Sequence, residues 1–474
     1  MSWLGRAGRA AVSALVSATL AGCSATSALT GDLIGPPAPK LGTLKPVTGF
    51  PGAVVADNPD VVRVGQHILL NDGSAADAAV AMAFATAVAL PSRAGLGGGG
   101  ACLAYKPGDG PNRGAPRAFL FAPVAPAVQA GNRPASVPML ALGLFALHDA
   151  YGALPIAQDI VPAERMARFG VPVSAQLAQD LQLVGSALQQ DKAAAEIFGP
   201  SGSPLGQGEL LVDTDLANVL ARLRVAGATD FYTGATAKAF VAGSAAAGGP
   251  VTGADLARAK ILLGNPLIVN TKHYAVGFIP NEAGVAAAAT FLQAHKTPDN
   301  LEGLVARSLG AIAAARKGMS GDKILAGGGG TATQIGGVPA SSSLIAMDRG
   351  GDVVACDLTM DNLFGTGRVA PGTGMLLAVS PSVFPRPLLA SAIAWSPGAH
   401  AFRAAVSASG QEAASAAAGY GMFRALNAKV AMPGTVPSPG RINAIACAGL
   451  LPGAPQTCTW ATDPRGDGLA LSSY

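Results

Sequence analysis

The stretch Ala340-Ser341-Ser342-Ser343-Leu344-Ile345-Ala346-Met347-Asp348-Arg349-Gly350-Gly351 constrains this chain more than any other. Small hydroxyl-bearing residues run straight into an apolar strand, which ends in a polar, glycine-rich turn. A hydroxyl at the head of a buried strand sits on a rigid element, as a nucleophile must. Serine clusters also mark ordinary loops entering strands. The next sixteen residues, 352–367, separate the two readings. Asp352-Val353-Val354-Ala355-Cys356-Asp357-Leu358-Thr359-Met360-Asp361 reads as a second strand, and Asn362-Leu363-Phe364-Gly365-Thr366-Gly367 as a tight turn after it.

Taken together, these residues resemble the start of the small subunit of γ-glutamyltranspeptidases, members of the N-terminal-nucleophile hydrolase superfamily. In that family a threonine opens a strand, a D-x-x-G turn comes next, then a T-x-N strand end and F-G-[ST]-G. Asp348, Gly351, Thr359 and Phe364-Gly365-Thr366-Gly367 fall at the family spacing, which makes Ser341 the nucleophile position. Two further anchors extend the resemblance. Asp77-Ala78-Ala79-Val80-Ala81 with Gly95-Leu96-Gly97-Gly98-Gly99-Gly100 is similar to the large-subunit motifs D-A-A-V-A and G-[IL]-G-G-G-G. Gly440-Arg441-Ile442-Asn443-Ala444-Ile445 and Ala461-Thr462-Asp463-Pro464-Arg465, with a terminal Tyr474, resemble the closing motifs. The fold implied is α+β, a four-layer αββα sandwich. Its parts are 51–340, matching the large subunit, and 341–474, matching the small subunit, within one domain.

The mechanism implied by the resemblance has two stages. The Ser341 hydroxyl attacks the Ala340 carbonyl, and hydrolysis of the resulting ester cuts the Ala340–Ser341 bond. Only a residue with its nucleophilic atom on Cβ can do this, and serine keeps the hydroxyl of the family's threonine. The freed α-amine, with an ordinary pKa of about 8, then acts as base for the same hydroxyl. A substrate amide gives an acyl-enzyme that is released to water or to an acceptor amine. Thr359 corresponds to the residue that orients the nucleophile. Backbone N–H groups at Gly410 and Gln411 match the oxyanion turn, although only one of the family's two glycines is kept. Asp361 and Ser342 are candidate substrate contacts. The large and small fragments are expected to stay associated, with a small-molecule or peptide amide as substrate and no cofactor.

The substrate-recognition positions depart from the family pattern. The arginine that pairs with a γ-glutamyl α-carboxylate falls on Ala122, and the paired serines fall on Leu389 and Ala390. The aspartate that holds the substrate amine falls on Val383, and the asparagine on Asp361. A charged amino-acid head group bound there would be desolvated without partners, at a cost of several kcal/mol. The expectation is therefore an amidohydrolase or acyltransferase of this family that does not favour γ-glutamyl groups. The alternative is a catalytically degenerate, membrane-anchored binding or scaffold lipoprotein of the same fold.

Composition supports a globular chain: 50% hydrophobic but only 5% aromatic residues give a core of Ala, Val and Leu. A formal net charge of +4, without basic blocks, argues against nucleic-acid binding. At the N-terminus Arg6 and Arg9 precede an apolar run too short to span a membrane, ending in Leu20-Ala21-Gly22-Cys23. This looks like the lipobox of bacterial lipoproteins. It implies a signal peptide over 1–22, lipidation at Cys23, a Pro/Gly/Thr-rich tether over 23–50 and a periplasm-facing, lipid-anchored protein. An ordinary signal peptide with an incidental cysteine is the other reading. Export permits disulfides: Cys447 and Cys458 flank a Gly/Pro loop and are expected to pair, whereas Cys102 and Cys356 are expected to be free, buried thiols. The five histidines show no ligand spacing, so no metal site is expected.

Overall fold

The computed structural model describes residues 50–335 and 340–472. Cys23 and the tether thus lie outside the described residues. Two antiparallel sheets form the centre. The seven-stranded sheet runs in the order Leu469–Ser472, Gly52–Ala56, Ser341–Asp348, Val353–Thr359, Gly99–Tyr105, Arg117–Phe121, Leu262–Gly264. The six-stranded sheet runs Cys458–Thr462, Arg441–Leu451, Ala401–Ser409, Ala390–Ser396, Ala275–Phe278, Leu267–Asn270. Strands from both sides of residue 340 thus share each sheet, and in the seven-stranded one they interleave.

Alternation along each strand builds the layers. Val55, Leu103, Ile345, Met347 and Val353 of the first sheet pack against Ile393, Phe402 and Ile445 of the second. The intervening residues Leu344, Ala346, Val354 and Leu358 face a helical layer. On the other side Ala392, Ala404, Val406 and Ala444 face the helices Glu282–Ala294, Leu301–Arg316 and Ala414–Ala428. This is the expected αββα sandwich.

Local chemistry sets the helices. Asn58 Oδ1 accepts from the Asp60 and Val61 amides and opens Pro59–Leu70. Ser74 and Asp77 form a reciprocal capping box that opens Ala75–Ala89, in which every residue is buried. An all-round apolar helix must be enclosed, and this one lies between the first sheet and the helices Leu140–Tyr151 and Ile156–Phe169. Among the described residues no helix is long and apolar enough to cross a membrane. The glycine run is a packing device: a Cβ on Gly97, Gly98, Gly99 or Gly100 would collide with the carbonyl oxygens of Leu376, Thr359, Phe121 and Asp357 respectively.

One expectation needs revision. Cys102 and Cys356 are not free thiols but a disulfide, because they stand directly opposite each other on adjacent strands. Their separation of 254 residues hides this pairing from the sequence. The segment 187–198 is the end of Ala175–Leu188 and then a separate helix, Lys192–Phe198, capped by Asp191. The middle of the chain, besides its helices, supplies Leu262–Gly264 and Leu267–Asn270, each an edge strand of one sheet. Cys447 and Cys458 are bridged as expected.

Candidate active site

Ser341 is the first residue of its strand and stands opposite Thr359 on the neighbouring one. Ser341 and Ser343 share the face of Ile345 and Met347, toward the second sheet, while Ser342 shares the face of Leu344. Ser341 is buried, at 2% exposure. Thr359 Oγ1 donates to the Ala340 carbonyl oxygen at 3.0 Å and accepts from the Asp361 amide at 2.9 Å. The amide consumes a lone pair of the hydroxyl and aims its proton at the carbonyl that Ser341 would attack. A donor held on that oxygen stabilises the negative charge that develops as the carbonyl becomes tetrahedral.

Behind this pair lies a network that spans both sheets. Asp57, just after Gly52–Ala56, accepts from the Ser343 amide at 2.8 Å and from the Ser342 hydroxyl at 3.3 Å. Asn443 Nδ2 donates to Asp57 Oδ1 at 2.8 Å, to the Ser343 carbonyl at 3.0 Å and to the Ser343 hydroxyl at 2.9 Å. One strand over, Asp357 accepts from Ser391 at 2.7 Å and from Ser407 at 2.8 Å. Complete burial pushes the Asp357 carboxyl up to about 7, the two serine hydroxyls opposing the shift. Ser342 is thus occupied by Asp57.

Ser407 meets Asp357, two residues in from Thr359, while Phe402 shares the inter-sheet core with Met347 at the far end. Ser409 and Ser341 therefore lie at the same end of the sandwich. The turn after Ser409 has φ of +100° at Gly410 and +53° at Gln411, and leads into the helix Ala414–Ala428. Glycine suits the first of these positions because a Cβ there would strike the Pro439 carbonyl and the Gly440 backbone. Backbone N–H groups in such a turn can converge on an anion. A cleft lined by Asp57, Arg93, Gln176, Ser409, Arg441 and Asp463 opens at this end. Arg93 is not available there as a free cation: it forms a two-point pair with Asp180 at 2.8 and 2.9 Å.

The recognition positions look different. Val383 is exposed, Leu389 and Ala390 are buried in apolar clusters, and Ala122 is half-buried against the inter-sheet core. Asp361 is fully buried and neither carboxylate oxygen has a hydrogen-bond partner. Burial holds its carboxyl well above the ordinary carboxylate range, and the charge of Arg386 offsets this only in part.

Asp57 and Asn443 escaped the sequence reading. The usable signals were an acid directly ending an apolar strand, and an amide at an inward position among Ile445 and Cys447. A second polar group lies elsewhere. Asp77, His148 and Asp159 bring ligand-type atoms within 4.8 Å of one another. Burial, with Asp77 nearby, pushes the Asp159 carboxyl up to about 9. Scattered spacing concealed this group, since its members come from three helices.

The sandwich, with a strand-heading hydroxyl beside a threonine, defines the N-terminal-nucleophile hydrolase class. The fold matches the crystal structure of cephalosporin acylase from Bacillus halodurans with a TM-score of 0.74 at 20% identity, covering 90% of this chain and 96% of that one. The family model for gamma-glutamyltranspeptidase matches residues 62–322, and the chain belongs to that family. It is 31% identical over 274 residues to the glutathione hydrolase proenzyme of Escherichia coli (strain K12), covering 52% of this chain and 46% of the relative. It is 29% identical over 253 residues to the acylase ACY 1 proenzyme of Pseudomonas sp. (strain V22), covering 49% of this chain and 45% of the relative. The chain thus spans under half the length of these curated relatives.

Proposed function

We propose that this protein is a self-processing amidohydrolase or acyltransferase that cuts its own Ala340–Ser341 bond and then uses Ser341 as nucleophile and its α-amine as base. The observation that carries this reading is the Thr359 hydroxyl donating to the Ala340 carbonyl, with Ser341 opposite. In the uncut chain Thr359 stabilises the oxyanion of the acyl shift. After cleavage the Ala340 carbonyl leaves, and the same hydroxyl is free to turn toward Ser341 Oγ. Gly410 and Gln411 offer backbone N–H groups to the substrate oxyanion. Two proenzymes among the relatives, a glutathione hydrolase and an acylase, support the reaction class.

The acyl group accepted is less polar than γ-glutamyl. Ala122, Leu389 and Ala390 offer no charge to an α-amino-acid head, and Val383 points an aliphatic side chain where the family carries an acid. The N-terminal Arg6, Arg9 and Cys23 support export and lipid anchoring at the cell envelope. Two disulfides fit an oxidising compartment.

The test is a comparison of two anilides on the purified protein. Pentanoyl-p-nitroanilide is expected to be cleaved with the higher kcat/KM and γ-glutamyl-p-nitroanilide with the lower. The reverse order would contradict the specificity, and no release from either by a self-cleaved chain would contradict the amidase reading for these acyl groups.

A further inference from the structure

We propose that Asp77, His148 and Asp159, with the main-chain carbonyl of Leu154, form a binding site for one divalent cation of the zinc or manganese type. His148 lies in the last turn of Leu140–Tyr151, Asp159 in the first turn of Ile156–Phe169, and Asp77 in the first turn of Ala75–Ala89. His148 Nε2 is 2.8 Å from the Leu154 oxygen, 3.5 Å from Asp77 Oδ1 and 3.6 Å from Asp159 Oδ2. Three oxygens thus surround one nitrogen. An imidazole Nε2 carries at most one proton and can serve only one of them.

Asp77 and Asp159 differ in what they lack. Asp77 accepts from the Ser74 amide and hydroxyl and from the Ala153 and Leu154 amides. Asp159 is fully buried, and neither of its oxygens has a hydrogen-bond partner. An orphaned carboxylate inside a protein is costly, and its Oδ2 lies 3.6 Å from His148 Nε2, within the same cluster of ligand-type atoms. Ligand atoms around a metal at about 2.0–2.2 Å stand roughly 3 to 3.5 Å from one another, close to the 3.5 and 3.6 Å between His148 Nε2 and the two carboxylates. A divalent ion would neutralise both carboxylates, and imidazole with carboxylate and carbonyl oxygen suits zinc or manganese rather than a soft monovalent metal.

This site is remote from Ser341. Asp348, at the other end of the nucleophile strand, accepts from the Ala75 amide at 3.1 Å, and an eight-residue strand is roughly 25 Å long. The ion would therefore clamp three helices rather than take part in the acyl chemistry, and its test does not depend on activity.

The full chain, stripped with EDTA and dialysed, is titrated with Zn²⁺ and separately with Mn²⁺ by calorimetry, with elemental analysis of the product. Wild type is expected to hold one ion per chain and to melt higher with it. Asp159→Asn should bind at least about tenfold more weakly and lose the metal-dependent rise in melting temperature. Should that variant not fold, His148→Gln takes its place. Failure of stripped wild type to bind either ion up to millimolar concentration would overturn the proposal. Undiminished binding by the variant would overturn it too.

Discussion

The nucleophile end of the molecule and its substrate-recognition positions have parted ways. Around Ser341 most buried polar groups have partners: Thr359 is held by Asp361 and Ala340, Ser343 by Asp57 and Asn443, and Asp357 by two serines, while Asn443 Oδ1 has none. At the recognition positions, Ala122, Val383, Leu389 and Ala390 carry no polar side-chain group, and Asp361 is an orphan. A buried hydrogen-bond network rigidifies a site to the extent that its members are satisfied. On the proposed reading, the comparison separates attack on an amide, for which the groups around Ser341 are arranged, from a grip on an amino-acid head group, for which these positions offer no charge partner.

The disulfide gives the largest effect. Cys102 lies before the proposed cut and Cys356 after it, so the two fragments remain covalently joined. A denaturing gel without reductant should show one species, and reductant should give two. Two bands without reductant would mean that this bridge does not form. Thr359→Val, which keeps the shape and removes the donor, should slow self-cleavage about 10²-fold. Unchanged cleavage would break the nucleophile half of the comparison. Ala122→Arg should raise kcat/KM for γ-glutamyl-p-nitroanilide by about tenfold, the worth of one charged hydrogen bond. No gain would show that more than this one cation is missing.

The smallest effect concerns Asp357. Its carboxyl binds a proton more tightly folded, at about 7, than unfolded, at about 3.9. That contribution favours folding fully below about pH 4 and is lost as pH rises toward 7. Asp357→Asn removes the dependence. The variant should melt roughly a few degrees above wild type at pH 8, with the gap closing by pH 5. A gap independent of pH would contradict the assignment.

Much of the fold was legible because it is written locally. The capping box at Ser74 and Asp77, the alternation from Leu344 to Met347 and the glycine run at 97–100 each announce their structure over a few residues. Ser341 and Thr359 were legible through their spacing from Gly351 and Phe364. The rest depends on partners distant in the chain. Asp57 and Asn443 meet across 386 residues, Cys102 and Cys356 across 254, and His148 joins Asp77 and Asp159 only once three helices pack. Short-range pattern carries no information about such encounters.

The proposed chemistry turns on the peptide link before Ser341. Intact mass of the purified, reduced protein, alongside Ser341→Ala, tests it most directly. Two chains in wild type, the lighter beginning at Ser341, and one uncut chain in the variant are predicted. A single full-length chain in active wild-type protein would contradict it.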